Sequence, residues 1–165
     1  MSYTFTLAEF SDIPEIYEII KKRVSWMNSK GIKQWNTTDY LNVYPISYFE
    51  DHQLNGRLYK MFDQNSTKIL GVMVLLDHDS RWNNYEASGS YFVHNFATEP
   101  TAKGIGSLML EAAEKLSKSK QKLYLRLDCP KHNTFLNQYY ESRGYTKMGN
   151  CVDGAYIGTL REKKL

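Results

Sequence analysis

Apolar and polar positions along the chain switch repeatedly between two periods. Tyr3 to Leu7 alternates residue by residue, as a half-buried strand does. Ser11-Asp12-Ile13-Pro14-Glu15 then supplies a capping side chain, a first-turn proline and acids for a helix start. Ile13, Ile16, Tyr17, Ile20, Val24 and Met27 recur at steps of three and four, the stripe of a first helix that ends at or before Gly31. A shorter helix is predicted from Pro45 through Ile46, Phe49 and Leu54 to the stop at Asn55-Gly56.

Arg57 to Phe62 and Ile69 to Leu76 read as strands joined by the turn formers Asp63 to Lys68, with Val72 to Leu76 fully buried. Asp77 to Ser90 is predicted as a loop, and Tyr91 to Thr98 as a strand closed by Pro100. A third helix starts at the Gly104-Ile105-Gly106 segment. It points Leu108, Met109, Ala112, Ala113 and Leu116 at the core and leaves Glu111, Glu114, Lys115 and Lys118 in water. Leu123 to Asp128 is a strand and Thr134 to Arg143 a helix stopped by Gly144. Tyr145 to Val152 and Ala155 to Arg161 form a hairpin around Asp153-Gly154. The order β-α-α-β-β-β-α-β-α-β-β predicts an α/β fold, α+β by a stricter convention: a mixed central sheet of about seven strands with four helices on its faces. At 165 residues, residues 1–165 are expected to form one domain.

Composition narrows the function. A 42% hydrophobic and 14% aromatic content belongs to a folded globular chain. The net charge of +3 is too mild for a nucleic-acid partner, and the lysines from Lys115 to Lys122 fit a solvated helix face. No targeting or membrane-spanning pattern is present, so the expected location is cytoplasmic. Cys129 and Cys151 carry no C-x-x-C spacing, and His52, His78, His94 and His132 never fall at i, i+4, so no metal is expected.

The segment Pro100-Thr101-Ala102-Lys103-Gly104-Ile105-Gly106-Ser107 places two glycines where a helix must begin just after a strand. The first backbone N–H groups of a helix have no partner and carry partial positive charge, and glycine lets a phosphate approach them. By itself this is equally a turn built for geometry. It fits neither the dinucleotide-binding G-x-G-x-x-G, because Met109 stands at the third glycine, nor Walker A. It resembles the signature Q/R-x-x-G-x-G/A of the GNAT superfamily of N-acetyltransferases, with Thr101 in place of Gln or Arg and Lys103 offering a nearby charge. Asn133 to Tyr145 resembles the family's N-x-x-A-x-x-l-Y-e-x-x-G-F/Y segment, with Leu136 where a small residue is commoner. Trp26 to Trp35 resembles a W-x-x-x-x-G-I-x-Q-W segment of small bacterial members, so the resemblance covers nearly the whole chain.

The resemblance implies an acyl-CoA-dependent N-acetyltransferase that passes acetyl from acetyl-CoA to a primary amine, on a small molecule or peptide, by direct attack in a ternary complex. A noncatalytic acyl-CoA-binding module is the alternative. It also implies the site. Lys103, Gly104, Ile105, Gly106 and Ser107 would hold the pyrophosphate, Asn133 and the strand residues Phe96, Ala97 and Thr98 the pantetheine and thioester, and Tyr140 would be the general acid. Trp26, Gln34, Trp35 and His94 would face the acceptor. The base is open among Glu99, Asp128 and His94. On the residues alone, Asn133 is equally a helix cap, Tyr140 a core aromatic, and the two tryptophans core fillers. An exposed sheet edge invites a homodimer.

Overall fold

The computed structural model describes residues 2–86 and 89–165. Its strands are β1 (Tyr3–Leu7), β2 (Leu58–Asp63), β3 (Ile69–Leu76), β4 (Ser90–Thr98), β5 (Tyr124–Pro130), β6 (Thr146–Asp153) and β7 (Tyr156–Lys164). Its helices are α1 (Ile13–Ser29), α2 (Tyr40–Val43), α3 (Ile46–Leu54), α4 (Ile105–Ser119) and α5 (Thr134–Glu141). The expected four are joined by the single-turn α2. The sheet runs β1-β2-β3-β4-β5-β7-β6. It is mixed, because β4 and β5 run parallel while β1–β2, β2–β3, β5–β7 and β6–β7 are antiparallel. The fold is α/β.

Two compact units divide the chain: Met1–Leu75 with Asn95–Ala112, and Leu76–His94 with Ala113–Leu165. In the first, α1 buries Ile13, Ile16, Ile19, Ile20 and Met27, with Phe49 of α3 and Leu58, Met61 and Val72 of the strands also buried. The stripe predicted for α1 is therefore rotated slightly: Ile19 goes inside, while Tyr17 and Val24 are half-buried. Asp12 does not cap α1. It accepts a 2.6 Å hydrogen bond from the Glu9 N–H and closes the preceding 3-10 turn, Phe10–Asp12, as half of a capping box. Gly71 of β3 lies under α4. A Cβ there would collide with the Met109 sulfur and come within 3.2 Å of the Ala97 carbonyl oxygen.

In the second unit, the segment expected to be a polar loop carries a core residue. Trp82, in the 3-10 turn Ser80–Trp82, is buried against Phe92, Cys151 and Leu160. Its indole also lies 4.9 Å from the Arg126 guanidinium, which is paired with Glu162 at 2.7 Å. The β6–β7 hairpin turns through Gly154-Ala155, with Asp153 opposite Tyr156 and Gly154 at φ +57°. That is the left-handed first position of a two-residue hairpin turn.

The buried face of α4 differs from the expected one. Ile105, Met109, Leu110, Ala113 and Ser117 are buried, while Leu108 is 38% exposed. The helix offers two adjacent apolar stripes of similar strength, and only packing chooses between them. Glu114 is likewise not left to water: it accepts from the Tyr145 hydroxyl at 3.0 Å and pairs with Lys163 at 2.8 Å.

Candidate active-site elements

In the first unit, the end of β4 leads into α4 through a tight turn. The Glu99 N–H donates to the Leu70 carbonyl at 2.8 Å, and the Ala102 N–H donates to the Glu99 carbonyl at 3.0 Å. Gly104 then takes φ +81°, and its carbonyl accepts from the N–H groups of Ser107 and Leu108 at 3.1 and 3.3 Å. A Cβ on Gly104 would touch nothing within 4 Å, so glycine is needed there for backbone conformation and not for space. The buried Ile105 side chain pins the start of α4, while Thr101, Lys103 and Gly104 are exposed and Gly106 and Ser107 half-buried. The positive end of a 15-residue helix is thus held open to an anion.

β4 carries a conformational break. Asn95 has φ +49° inside the strand. Buried side chains fall at Ser90 and Phe92 before it, but at Val93, Asn95 and Ala97 through and beyond it, a one-residue change of phase. A strand that admits an extra residue in this way bends and re-aims its peptide groups. Asn95 is secured by two tyrosines: its amide donates to the Tyr40 hydroxyl at 2.6 Å, and its carbonyl oxygen accepts from the Tyr48 hydroxyl at 2.9 Å. At the strand's end Arg23 donates through Nε to the Thr98 carbonyl at 3.1 Å and through Nη2 to that carbonyl and to Oγ1, the latter at 2.7 Å. Of the expected β4 residues, Ala97 is buried and Phe96 and Thr98 are half-buried.

These same partners connect β4 to the tryptophans. Trp35 stacks on Tyr40 at 4.2 Å and 13°, Tyr40 meets Tyr44 at 4.6 Å, and Tyr44 meets Tyr48 at 4.9 Å. Trp26 lies 4.9 Å from the Arg23 guanidinium. Both tryptophans are half-buried, and neither is a sealed core residue. Gln34, also half-buried, is held by its backbone, with its N–H donating to Asn36 Oδ1 at 2.9 Å. The base candidate Glu99 is buried and paired with Lys22 at 3.1 Å.

In the second unit, α5 sets the remaining predicted residues. Asn133 caps it, its side-chain oxygen accepting from the Leu136 N–H at 3.0 Å. At the other end Gly144 takes φ +83°, the Gly144 N–H donates to the Glu141 carbonyl and the Tyr145 N–H to the Tyr140 carbonyl. This pair of bonds is a Schellman stop, and its usual apolar contact is made here by the Tyr140 and Tyr145 rings, edge to face at 5.8 Å. Tyr140 is buried. Burial first, then the nearby Cys129, Tyr139 and Asp128, push its phenol above the ordinary range, against a smaller opposing effect of Arg143, so it stays protonated at neutral pH. Burial likewise pushes the thiols of Cys129 and Cys151 up to about 11.

The structure also assembles a cluster that no sequence spacing announced. Donor atoms of Asp79, His94 and Asp128 lie within 4.8 Å of one another. His94 Nε2 is 2.7 Å from Asp79 Oδ2, and Asp79 Oδ1 accepts from the Arg81 N–H at 2.9 Å. Arg81 Nη1 reaches Asp128 Oδ1 at 3.2 Å and Nη2 reaches Asp153 at 2.8 Å, while the Tyr156 hydroxyl donates to Asp128 Oδ2. Burial by itself would raise the Asp79 carboxyl. The His94 hydrogen bond and charge, with Arg81, outweigh it and hold that carboxyl below its usual value. Sequence reading missed Asp79 and Arg81, together with Arg23, Tyr40, Tyr48 and Asn95. A hint was available only for Asn95, one of the residue types that tolerate a left-handed backbone.

Among known proteins, the family model described as Acetyltransferase (GNAT) family matches residues 24–145. The uncharacterized N-acetyltransferase YesJ of Bacillus subtilis (strain 168) is 22% identical over 160 residues, 91% of this chain and 85% of that protein. A GNAT-family acetyltransferase structure from Listeria monocytogenes 4b F2365 aligns with a TM-score of 0.82 at 21% identity, over 99% of this chain and 95% of that one. The PaiA N-acetyltransferase of Thermoplasma acidophilum, solved in complex with coenzyme A, aligns with a TM-score of 0.76 at 19% identity over the whole of both chains.

Proposed function

Because this chain belongs to the GNAT acetyltransferase family, we propose that it transfers acetyl from acetyl-CoA to a primary amine by direct attack in a ternary complex. The observation that carries this reading is the left-handed Gly104 turn, which holds the opening of α4 exposed. Coenzyme A in the Thermoplasma acidophilum relative supports the same ligand here.

The chain's groups divide the work. Lys103 to Ser107 offer backbone N–H groups, helix charge and one lysine to the pyrophosphate. Asn133 lies against the pantetheine arm. The peptide groups of Phe96, Ala97 and Thr98, re-aimed by the Asn95 break, bind that arm and stabilise charge on the thioester oxygen. Tyr140, kept protonated by burial, gives its proton to the departing CoA thiolate. Trp26, Gln34, Trp35 and His94 face the amine, and aromatic walls suit a small-molecule or peptide acceptor. The family match spans residues of both compact units, which favours a single domain over 1–165. Among the described residues no helix is long and apolar enough to cross a membrane. We assign the protein to the cytoplasm, and its edge strands β1 and β6 to pairing in a homodimer.

The test is CoA release from acetyl-CoA over a panel of tyramine, spermidine, glycine amide, a lysine-containing peptide and an aminoglycoside. At least one amine is acetylated. Tyr140→Phe lowers turnover on it by about 100-fold and leaves CoA affinity within about threefold. Tight CoA binding without transfer to any amine would favour a binding module. Unchanged turnover in Tyr140→Phe would remove that residue from the chemistry.

A further inference from the structure

We propose that His94, oriented by Asp79, is the general base that takes the proton from the acceptor's ammonium group. The inference rests on the acetyl-transfer reading above and fills its missing half: an amine must be neutral to attack a thioester.

Three observations carry it. First, buried Asp79 and half-buried His94 form a pair at 2.7 Å, with side chains 6% and 13% exposed. An ionised carboxylate only accepts hydrogen bonds, so His94 Nε2 carries the hydrogen in that bond and Nδ1 presents the lone pair. A carboxylate that fixes the tautomer and balances the imidazolium formed on proton uptake is the arrangement that equips histidine as a base. Secondly, the competing candidates are already committed. Glu99 is buried against Lys22, and both oxygens of Asp128 are taken, one by Arg81 and the other by the Tyr156 hydroxyl. Thirdly, the assigned acid is electrostatically coupled to the same cluster: the charge of Asp128 acts on the Tyr140 phenol, and an Asp128 carboxylate oxygen lies within 4.8 Å of the His94 and Asp79 donor atoms.

The same accounting argues against reading Asp79, His94 and Asp128 as a metal cage. All four carboxylate oxygens have donors: the Arg81 N–H and His94 on Asp79, Arg81 Nη1 and Tyr156 on Asp128. A cation would have to displace them, and the Arg81 guanidinium already supplies positive charge there.

The step balances. The acceptor ammonium gives one proton to His94 Nδ1, and the neutral nitrogen forms the C–N bond to the acetyl carbon. The tetrahedral adduct collapses with cleavage of C–S, and the thiolate takes the Tyr140 proton. The remaining excess proton on nitrogen restores Tyr140, and His94 later returns its proton to solvent. Amide, CoA and one released proton result. Among the described residues, the charged and titratable groups of this cluster are Asp79 and Asp128 beside His94, Arg81 and Tyr156 bonded to Asp128, Asp153 bonded to Arg81, and Cys151, which feels the charges of Asp128, Arg81 and Asp79.

The decisive experiment is the pH profile of turnover for His94→Gln and Asp79→Asn, with circular dichroism and CoA affinity as controls. It uses whichever of the five panel amines the parent protein acetylates. His94→Gln is expected to lower turnover by about 100-fold near neutral pH, with unchanged CoA affinity, and to make turnover rise with pH toward the range where the acceptor amine itself loses its proton. The deficit narrows toward about pH 9.5, where the free amine no longer needs a base. Asp79→Asn, which leaves the tautomer unfixed, costs about tenfold. A loss of similar size at every pH, or a profile unchanged within about threefold, overturns the assignment while leaving acetyl transfer standing. Transfer by the parent to none of the five amines overturns acetyl transfer and this inference together.

Discussion

The turn before α4 and the cluster around His94 are built from different materials. In the turn the groups proposed to bind are peptide N–H groups, and their placement depends on a backbone angle, the φ of +81° at Gly104. Around His94 they are side chains from the 3-10 turn at Ser80–Trp82 and its cap, from β4, β5, β6 and β7, and what matters is which atoms they carry. A backbone site tolerates changes of side chain but not of conformation. A side-chain site tolerates neither a lost proton nor a lost charge, because its members, the exposed Asp153 apart, are buried or half-buried and each is another's partner.

That contrast can be broken most forcefully at Gly104. Gly104→Val asks a β-branched residue to hold a left-handed backbone, at a cost of about 1–3 kcal/mol. CoA affinity should fall by about tenfold or more in isothermal titration, although a Cβ there meets no atom within 4 Å. Undiminished binding would mean that the turn is not the phosphate cradle.

A smaller effect, on stability, sharpens the other side. The folded Asp79 carboxyl lies below its usual value, so its ionised form stabilises the fold above the unfolded-state value near 4, and that contribution disappears as pH falls through the folded value. Urea unfolding of the parent should therefore weaken more than that of Asp79→Asn as pH falls from about 5 through the folded value. Parallel curves would mean that the His94 and Arg81 contacts do not bias the carboxyl.

The smallest change is expected at Lys103, whose side chain is exposed. Lys103→Ala should weaken CoA binding only about two- to threefold at low salt, and not measurably at about 0.5 M salt, where screening removes a surface charge's contribution. A large, salt-resistant loss would move the weight of the cradle from backbone to side chain.

The elements themselves were legible because they follow from near neighbours. Gly144 as a helix stop and Gly154 in the β6–β7 turn can each be read from a few residues of context. Tyr140 was singled out in the sequence only as a motif position. The structure adds the Schellman stop that seats it against Tyr145 and the burial that keeps it protonated. The buried face of α4 was not readable, since Leu108 and Leu110 sit on competing stripes and the partner surface decides. Trp82 was hidden for a different reason: Asp, Asn and Ser around it look like loop, and one indole has no period.

What the sequence determined by itself is the order of the longer elements, the glycine turns at Gly144 and Gly154 and the Asn133 cap, because each depends on contacts three to five residues apart. Which distant side chains meet was decided by the tertiary structure. Asp79 with His94, Asn95 with Tyr40 and Tyr48, and Arg23 with Thr98 are separated by 15 to 75 residues. Their meeting depends on strand order and on the phase change at Asn95, where a slip of one residue turns a side chain to the opposite face of the sheet.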